Sequence, residues 1–114
     1  MNEVLNQIAE IIEQYKETDT NNGIELNRQL KELTARLYYL ETIRTMAHEK
    51  YEAVIHNKVK EGYSVARATN EANIEVPEMY KLRRLIGSGY KIVESIRSNL
   101  SYLKLEMRNT EKQY

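Results

Sequence analysis

Residues 26–54, LNRQLKELTARLYYLETIRTMAHEKYEAV, carry Leu26, Leu30, Leu33, Leu37 and Leu40 at alternating intervals of four and three, then Ala47, Tyr51 and Val54. Arg44 stands in the same row, between Leu40 and Ala47. A heptad pattern held for about four repeats marks one side of a long helix that packs on another helix. The spacing predicts a helix from about Ile24 to Lys60, ~55 Å long at 1.5 Å per residue. Such a rod cannot bury its apolar side against itself, so the fold needs a second long helix.

The second half of the chain supplies it. Leu82, Ile86, Val93, Ile96, Leu100, Leu103 and Met107 repeat the same spacing. Val76-Pro77 breaks the chain before them, because a residue preceding proline is pushed out of the α region. Proline at the first helical position with Glu78 behind it suits a helix start. This helix is predicted to run from Pro77 to about Asn109, with a frayed tail at 110–114.

Between the two, Gly62 ends the first rod. Ser64 can then cap a short helix, Val65 to about Asn73, whose Val65, Ala66, Ala68 and Ala72 suit close docking. Upstream, Asn2 can cap a helix over roughly residues 3–17, with Val4, Leu5, Ile8, Ile11, Ile12 and Tyr15 on one side. The run Thr18-Asp19-Thr20-Asn21-Asn22-Gly23 consists of turn and cap formers. The fold expected is all-α: an elongated antiparallel helical hairpin of two long helices, a short corner helix, and an N-terminal helix packed alongside. The whole, 1–114, forms a single helical domain.

Composition narrows the chemistry. Net charge is zero over 114 residues, yet 1–57 hold six Lys/Arg against ten Asp/Glu, and 58–114 hold eleven against seven. Charge divided between halves points to a polyanion-binding half, or to halves that neutralise each other. The absence of cysteine removes disulfides and thiolate chemistry and makes a reducing cytoplasm the expected location, the host's if the protein is phage-encoded. No apolar run approaches the ~20 residues of a membrane span, so a soluble protein without a classical secretion signal is expected. Nine tyrosines stand with no Phe or Trp, a core thin in aromatics with rings suited to stacking or interfaces. No phosphate loop follows a strand, and no nucleophile elbow or Cys nucleophile is present, so neither catalysis nor a cofactor is expected.

One acid–imidazole row, His48, Glu52 and His56 at intervals of four, could share a metal on one helix side, with Glu41 two turns before His48. A third or fourth ligand would have to come from another helix. A solvated polar side is the reading preferred, and no metal is assigned.

The cations of the last helix are more informative. Arg83, Tyr90, Arg97 and Lys104 follow at sevens, with Arg108 one turn beyond, and Arg84 and Lys91 lie toward the outer side. Lys81 and Lys112 bring its Lys/Arg to eight, against Glu78, Glu94, Glu106 and Glu111. Cations around a ring are what single-stranded nucleic acid needs: charge to track phosphates and a surface on which a base stacks. The competing reading pairs these cations with Glu25, Glu32, Glu41 and Glu52 of the other long helix, as charges flanking heptad seams commonly do. Gly87-Ser88-Gly89 divides in the same way: it marks a close helix crossing or kink, or a small-residue patch that lets a phosphate backbone approach.

The stretches Tyr80-Lys-Leu-Arg-Arg-Leu-Ile86 and Ile96-Arg-Ser-Asn-Leu-Ser-Tyr-Leu-Lys-Leu-Glu-Met-Arg108, with Ala35-Arg-Leu-Tyr-Tyr39 upstream, resemble small phage recombination mediators of the T-even type. The resemblance covers about residues 33–109. It implies an all-helical oligomer that binds single-stranded DNA and helps load a recombinase. Arg97, Lys104 and Arg108 would then contact DNA. Leu30, Leu33, Leu37, Leu40, Val93, Ile96, Leu100 and Leu103 are the candidate seam of a homo-oligomer. The alternative is a small phage or mobile-element protein that inhibits a host nuclease or defence complex, using the acidic half from Glu3 to Glu52.

Overall fold

A Schellman motif closes the longest helix in the computed structural model, which describes residues 2–112, without the side chains of 110–112. The Tyr63 N–H donates to the Lys58 carbonyl and the Gly62 N–H to the Val59 carbonyl, both at 3.0 Å, with Gly62 at φ +100°. That paired arrangement satisfies carbonyls a helix end otherwise leaves bare, and only glycine adopts the left-handed position without strain. The glycine predicted to stop the rod does so by this geometry.

Four helices follow in order: α1 (Asn2–Glu17), α2 (Gly23–Lys60), α3 (Val65–Glu75) and α4 (Glu78–Lys112). The protein is all-α, two long helices with a short one between them, as the spacing predicts. Asn2 is itself the first helical residue of α1 rather than its cap. The Asn22 side chain caps α2, accepting from the Glu25 N–H at 3.1 Å, so this helix begins one residue earlier than expected. Ser64 caps α3 by accepting from the Arg67 N–H at 3.2 Å. α4 continues three residues past Asn109; the Lys112 side chain and residues 113–114 of the expected tail lie outside what the structure describes.

The chain divides into two compact units, one of residues 1–37 and 88–114, the other of 38–87. In the first, α1 runs antiparallel to α2. Arg36 Nε donates to Gln7 Oε1 at 3.0 Å, and Arg28 Nη2 to Gln14 Oε1 at 2.8 Å. α2 is antiparallel to α4, since Gly23 lies against Leu103 and Leu37 against Gly89. Asn99 Nδ2 donates to the Tyr15 hydroxyl at 3.1 Å and joins α1 to α4. Ile8, Ile11, Leu26, Leu33, Leu37, Val93 and Ile96 are buried here.

Gln29 is buried among them at 0% exposure, in the place the leucine pattern gives to Leu30, which is half-buried. Its Nε2 donates to Thr18 Oγ1 at 2.8 Å and to Glu25 Oε1 at 3.1 Å, so a polar side chain fixes the α1–α2 turn from inside.

In the second unit Leu40, Ala47, Ala68, Ala72, Val76, Leu82 and Ile86 form the core. Of the four residues expected to dock α3, Ala68 and Ala72 are 0% exposed, whereas Val65, the first residue of the helix, is 66% exposed and Ala66, on its other side, is exposed as well. Arg67 and Lys58 lie over the Tyr63 ring, 4.2 and 5.3 Å from its centroid, and tie the start of α3 to the end of α2.

Candidate nucleic-acid interface

α4 brings Tyr90, Lys91, Arg97, Lys104 and Arg108 into the unit of residues 1–37 and 88–114. At 3.6 residues per turn, Tyr90, Arg97, Lys104 and Arg108 fall within about 40° of one another around the axis, over roughly 27 Å of helix. The four cations are exposed and Tyr90 is half-buried. Arg83 and Arg84, also exposed, belong to the other unit.

Among the described residues no ion pair joins this row to the carboxylates expected to neutralise it. Arg28 Nη1 lies 2.8 Å from Glu32, and its Nε donates to Glu25 Oε2 at 3.0 Å. This guanidinium holds the Glu25 carboxyl below the usual carboxylate range, Gln29 adding to the effect, and its own pKa is raised in return. Glu52 sits 3.7 Å from His48 Nε2. Glu41 forms no ion pair among the described residues. Nor do Arg83, Arg84, Lys91, Arg97, Lys104 and Arg108. Of the two sequence readings of the row, the geometry therefore lacks the intramolecular pairing.

Beside the row lies an apolar groove of ≈ 740 Å³, walled by Gly23, Ile24, Leu100, Leu103 and Met107, with Lys104 and Glu106 at its edge. Ile24 is 89% and Met107 64% exposed. Met107 was expected to continue the packed seam. It does not, because α2 begins at Gly23 opposite Leu103 and leaves nothing further for α4 to cover. Tyr102 on the outer side donates to Glu106, whose carboxylate raises the tyrosine pKa.

The candidate assembly seam needs correction. Leu33, Leu37, Leu40, Val93 and Ile96 are 0% exposed within one chain, so their packing is intramolecular and no surface is left for a second copy. Leu30, Leu100 and Leu103 remain half-buried. Gly89 is likewise a packing position. It is buried against Leu37, whereas Gly87 is exposed, with open space where a side chain would stand.

His48, Glu52 and His56 do not form a metal cluster, and no group of three His, Cys, Asp or Glu gathers among the described residues. Among those residues no helix is long and apolar enough to cross a membrane. No family model, curated protein or solved structure matches the chain.

Sequence reasoning missed two features. Gln29 was hidden because a polar residue inside a leucine repeat reads as solvent-facing. The cavity lined by Arg44 and Arg83 was hidden because its residues are dispersed along the chain. The only trace of that cavity in the sequence was an arginine standing in an apolar row.

Proposed function

We propose that the protein is a non-catalytic binder of single-stranded nucleic acid, acting through the α4 edge formed by Tyr90, Lys91, Arg97, Lys104 and Arg108. One observation carries the reading: the exposed cations Lys91, Arg97, Lys104 and Arg108 form no ion pair among the described residues, while Glu25 and Glu32 are paired with Arg28. Unpaired, solvated cations exchange their counterions for phosphates, which is the main source of affinity for a polyanion. Tyr90 adds a ring on which a base can stack.

Self-association belongs to this reading. Ile24, Leu105 and Met107 leave large apolar side chains in water at the end of α4, next to half-buried Leu100 and Leu103. A second copy would cover them. The resemblance of residues 33–109 to phage recombination mediators supports a role for such an oligomer as a recombination or replication accessory in the cytoplasm of a host cell.

Fluorescence anisotropy of a labelled single-stranded oligonucleotide tests the reading. Binding is expected to weaken with salt at a log–log slope of about −3, since each neutralised phosphate of a single strand contributes ~0.7. Replacing Arg97, Lys104 and Arg108 together by glutamate should abolish it at unchanged helicity. Retained binding by that variant would remove the edge from the site.

A second reading has its own observation. Glu3, Glu10 and Glu17 are exposed on α1 at intervals of seven, an anionic row that could occupy a nucleic-acid-binding surface of another protein. An inhibitor of a host nuclease or defence complex would use that row and ignore free DNA.

A further inference from the structure

The unit of residues 38–87 holds a cavity of ≈ 320 Å³ lined by Arg44, Thr45, His48, Met79 and Arg83. A second, of ≈ 200 Å³, shares His48, Met79 and Arg83 and adds Tyr51, Asn73 and Tyr80. No Asp or Glu lines either one. Arg44 and Arg83 form no ion pair among the described residues; Glu52 Oε1 lies 3.7 Å from His48 Nε2. Arg44 is half-buried, in a row whose neighbours Leu40 and Ala47 are core.

Two guanidiniums facing one cavity repel each other unless an anion lies between them. Half-buried Arg44 packs its stem in an apolar row and carries its guanidinium to the cavity, where an anion would be held close to it. The planar forks of two arginines match the oxygens of a phosphate, and their summed charge matches a monoester dianion better than a singly charged diester. The adjoining walls are different in kind. The Tyr51 and Tyr80 rings offer stacking surface, and Asn73 offers an amide that can donate and accept.

We propose that this cavity binds a phosphate monoester carrying a nucleobase, the phosphate between Arg44 and Arg83 and the base toward Tyr51, Asn73 and Tyr80. A free nucleoside 5′-phosphate and the 5′-phosphorylated end of a strand present the same chemistry. The site lies wholly within residues 38–87 and needs none of the edge formed by Lys91, Arg97, Lys104 and Arg108.

The experiment is a titration of the full chain, followed by the Nε–H signals of its arginines in ¹H–¹⁵N NMR. Adenosine 5′-monophosphate should move the Arg44 and Arg83 signals and saturate below millimolar concentration, and adenosine should move neither. Arg44→Gln and Arg83→Gln should each weaken binding at least tenfold with helicity unchanged. The Arg97→Glu, Lys104→Glu, Arg108→Glu variant should bind as the parent does, which separates this site from the α4 edge. A 5′-phosphorylated tetranucleotide binding tenfold tighter than both its 5′-hydroxyl form and the mononucleotide assigns the strand end; tighter binding of the mononucleotide assigns the free nucleotide. Sulfate and inorganic phosphate moving the same signals as strongly as the mononucleotide would mean an adventitious ion only and overturn the proposal. So would unmoved arginine signals, or full affinity in both glutamine variants.

Discussion

Gly89 on α4 lies directly against Leu37 on α2, with no room for a side chain between them. A Cβ built on Gly89 would meet one Leu37 methyl at 3.1 Å and the other nearer still. Leu37 is 0% exposed and has nowhere to retreat. Gly87, two residues earlier on the same helix, has nothing within 4 Å of its own hypothetical Cβ.

Alanine at these two glycines should therefore act with opposite signs. At Gly87 it should stabilise by up to ~1 kcal/mol through helix propensity. At Gly89 the same gain is outweighed by overpacking that typically costs ~1–3 kcal/mol. Thermal unfolding followed by circular dichroism should place the Gly87→Ala midpoint above that of the parent and the Gly89→Ala midpoint below it. A stabilised Gly89→Ala would show that α2 and α4 are less tightly apposed than Leu37 indicates.

Gly62 gives a third glycine prediction for a different reason. Space is open around it, but its φ of +100° excludes ordinary side chains. Gly62→Ala should destabilise by ~1 kcal/mol, and Gly62→Asn by less, since Asn tolerates the left-handed region better. Equal midpoints for alanine and asparagine would count against the backbone explanation.

Acid should loosen the contact between α1 and α2 before it affects the cores. The Glu25 pKa is lowered chiefly by its hydrogen bond from Arg28, which also donates to Gln14 of α1. A depressed folded-state pKa means the contribution is present above the unfolded value and lost as pH falls through the folded one. The loss thus falls below the ordinary glutamate range, at pH below about 4. Carboxyl ¹³C shifts across a titration should show Glu25 titrating below the ordinary glutamate range, and Arg28→Gln should raise its midpoint.

The helices were legible because their punctuation was sparse and strong. Gly62, Ser64 and Val76-Pro77 each end or begin an element where the sequence places them, and the heptad rows locate the packed sides. The rows could not say whose surface they meet. Leu33, Leu37, Val93 and Ile96 read equally well as an intermolecular seam, and only their burial within one chain decides the matter. Periodicity also treats Gln29 as polar and Met107 as packed, whereas Gln29 is buried with its amide on Thr18 and Glu25, and Met107 is 64% exposed beyond the start of α2. Of the candidate site, the cation row was readable from spacing alone. Among the described residues its cations form no ion pair, and Arg28 takes Glu25 and Glu32, which no spacing rule ranks above pairing between helices.

The parts of the α4 edge should separate by how their loss depends on salt. Lys104→Gln removes one phosphate contact, so the log–log salt slope should shrink by about 0.7 while affinity falls alike for all sequences. Arg97→Gln should match it. Tyr90→Leu keeps every charge, so the slope should stay constant while affinity falls by about 1–3 kcal/mol through lost stacking. The pattern is informative because a merely structural Tyr90 would alter helicity or the unfolding midpoint together with affinity. Anisotropy titrations at four salt concentrations, run beside thermal melts of the same variants, resolve the cases. A Tyr90→Leu protein with parental affinity and parental stability would leave the cations as the whole of the interface.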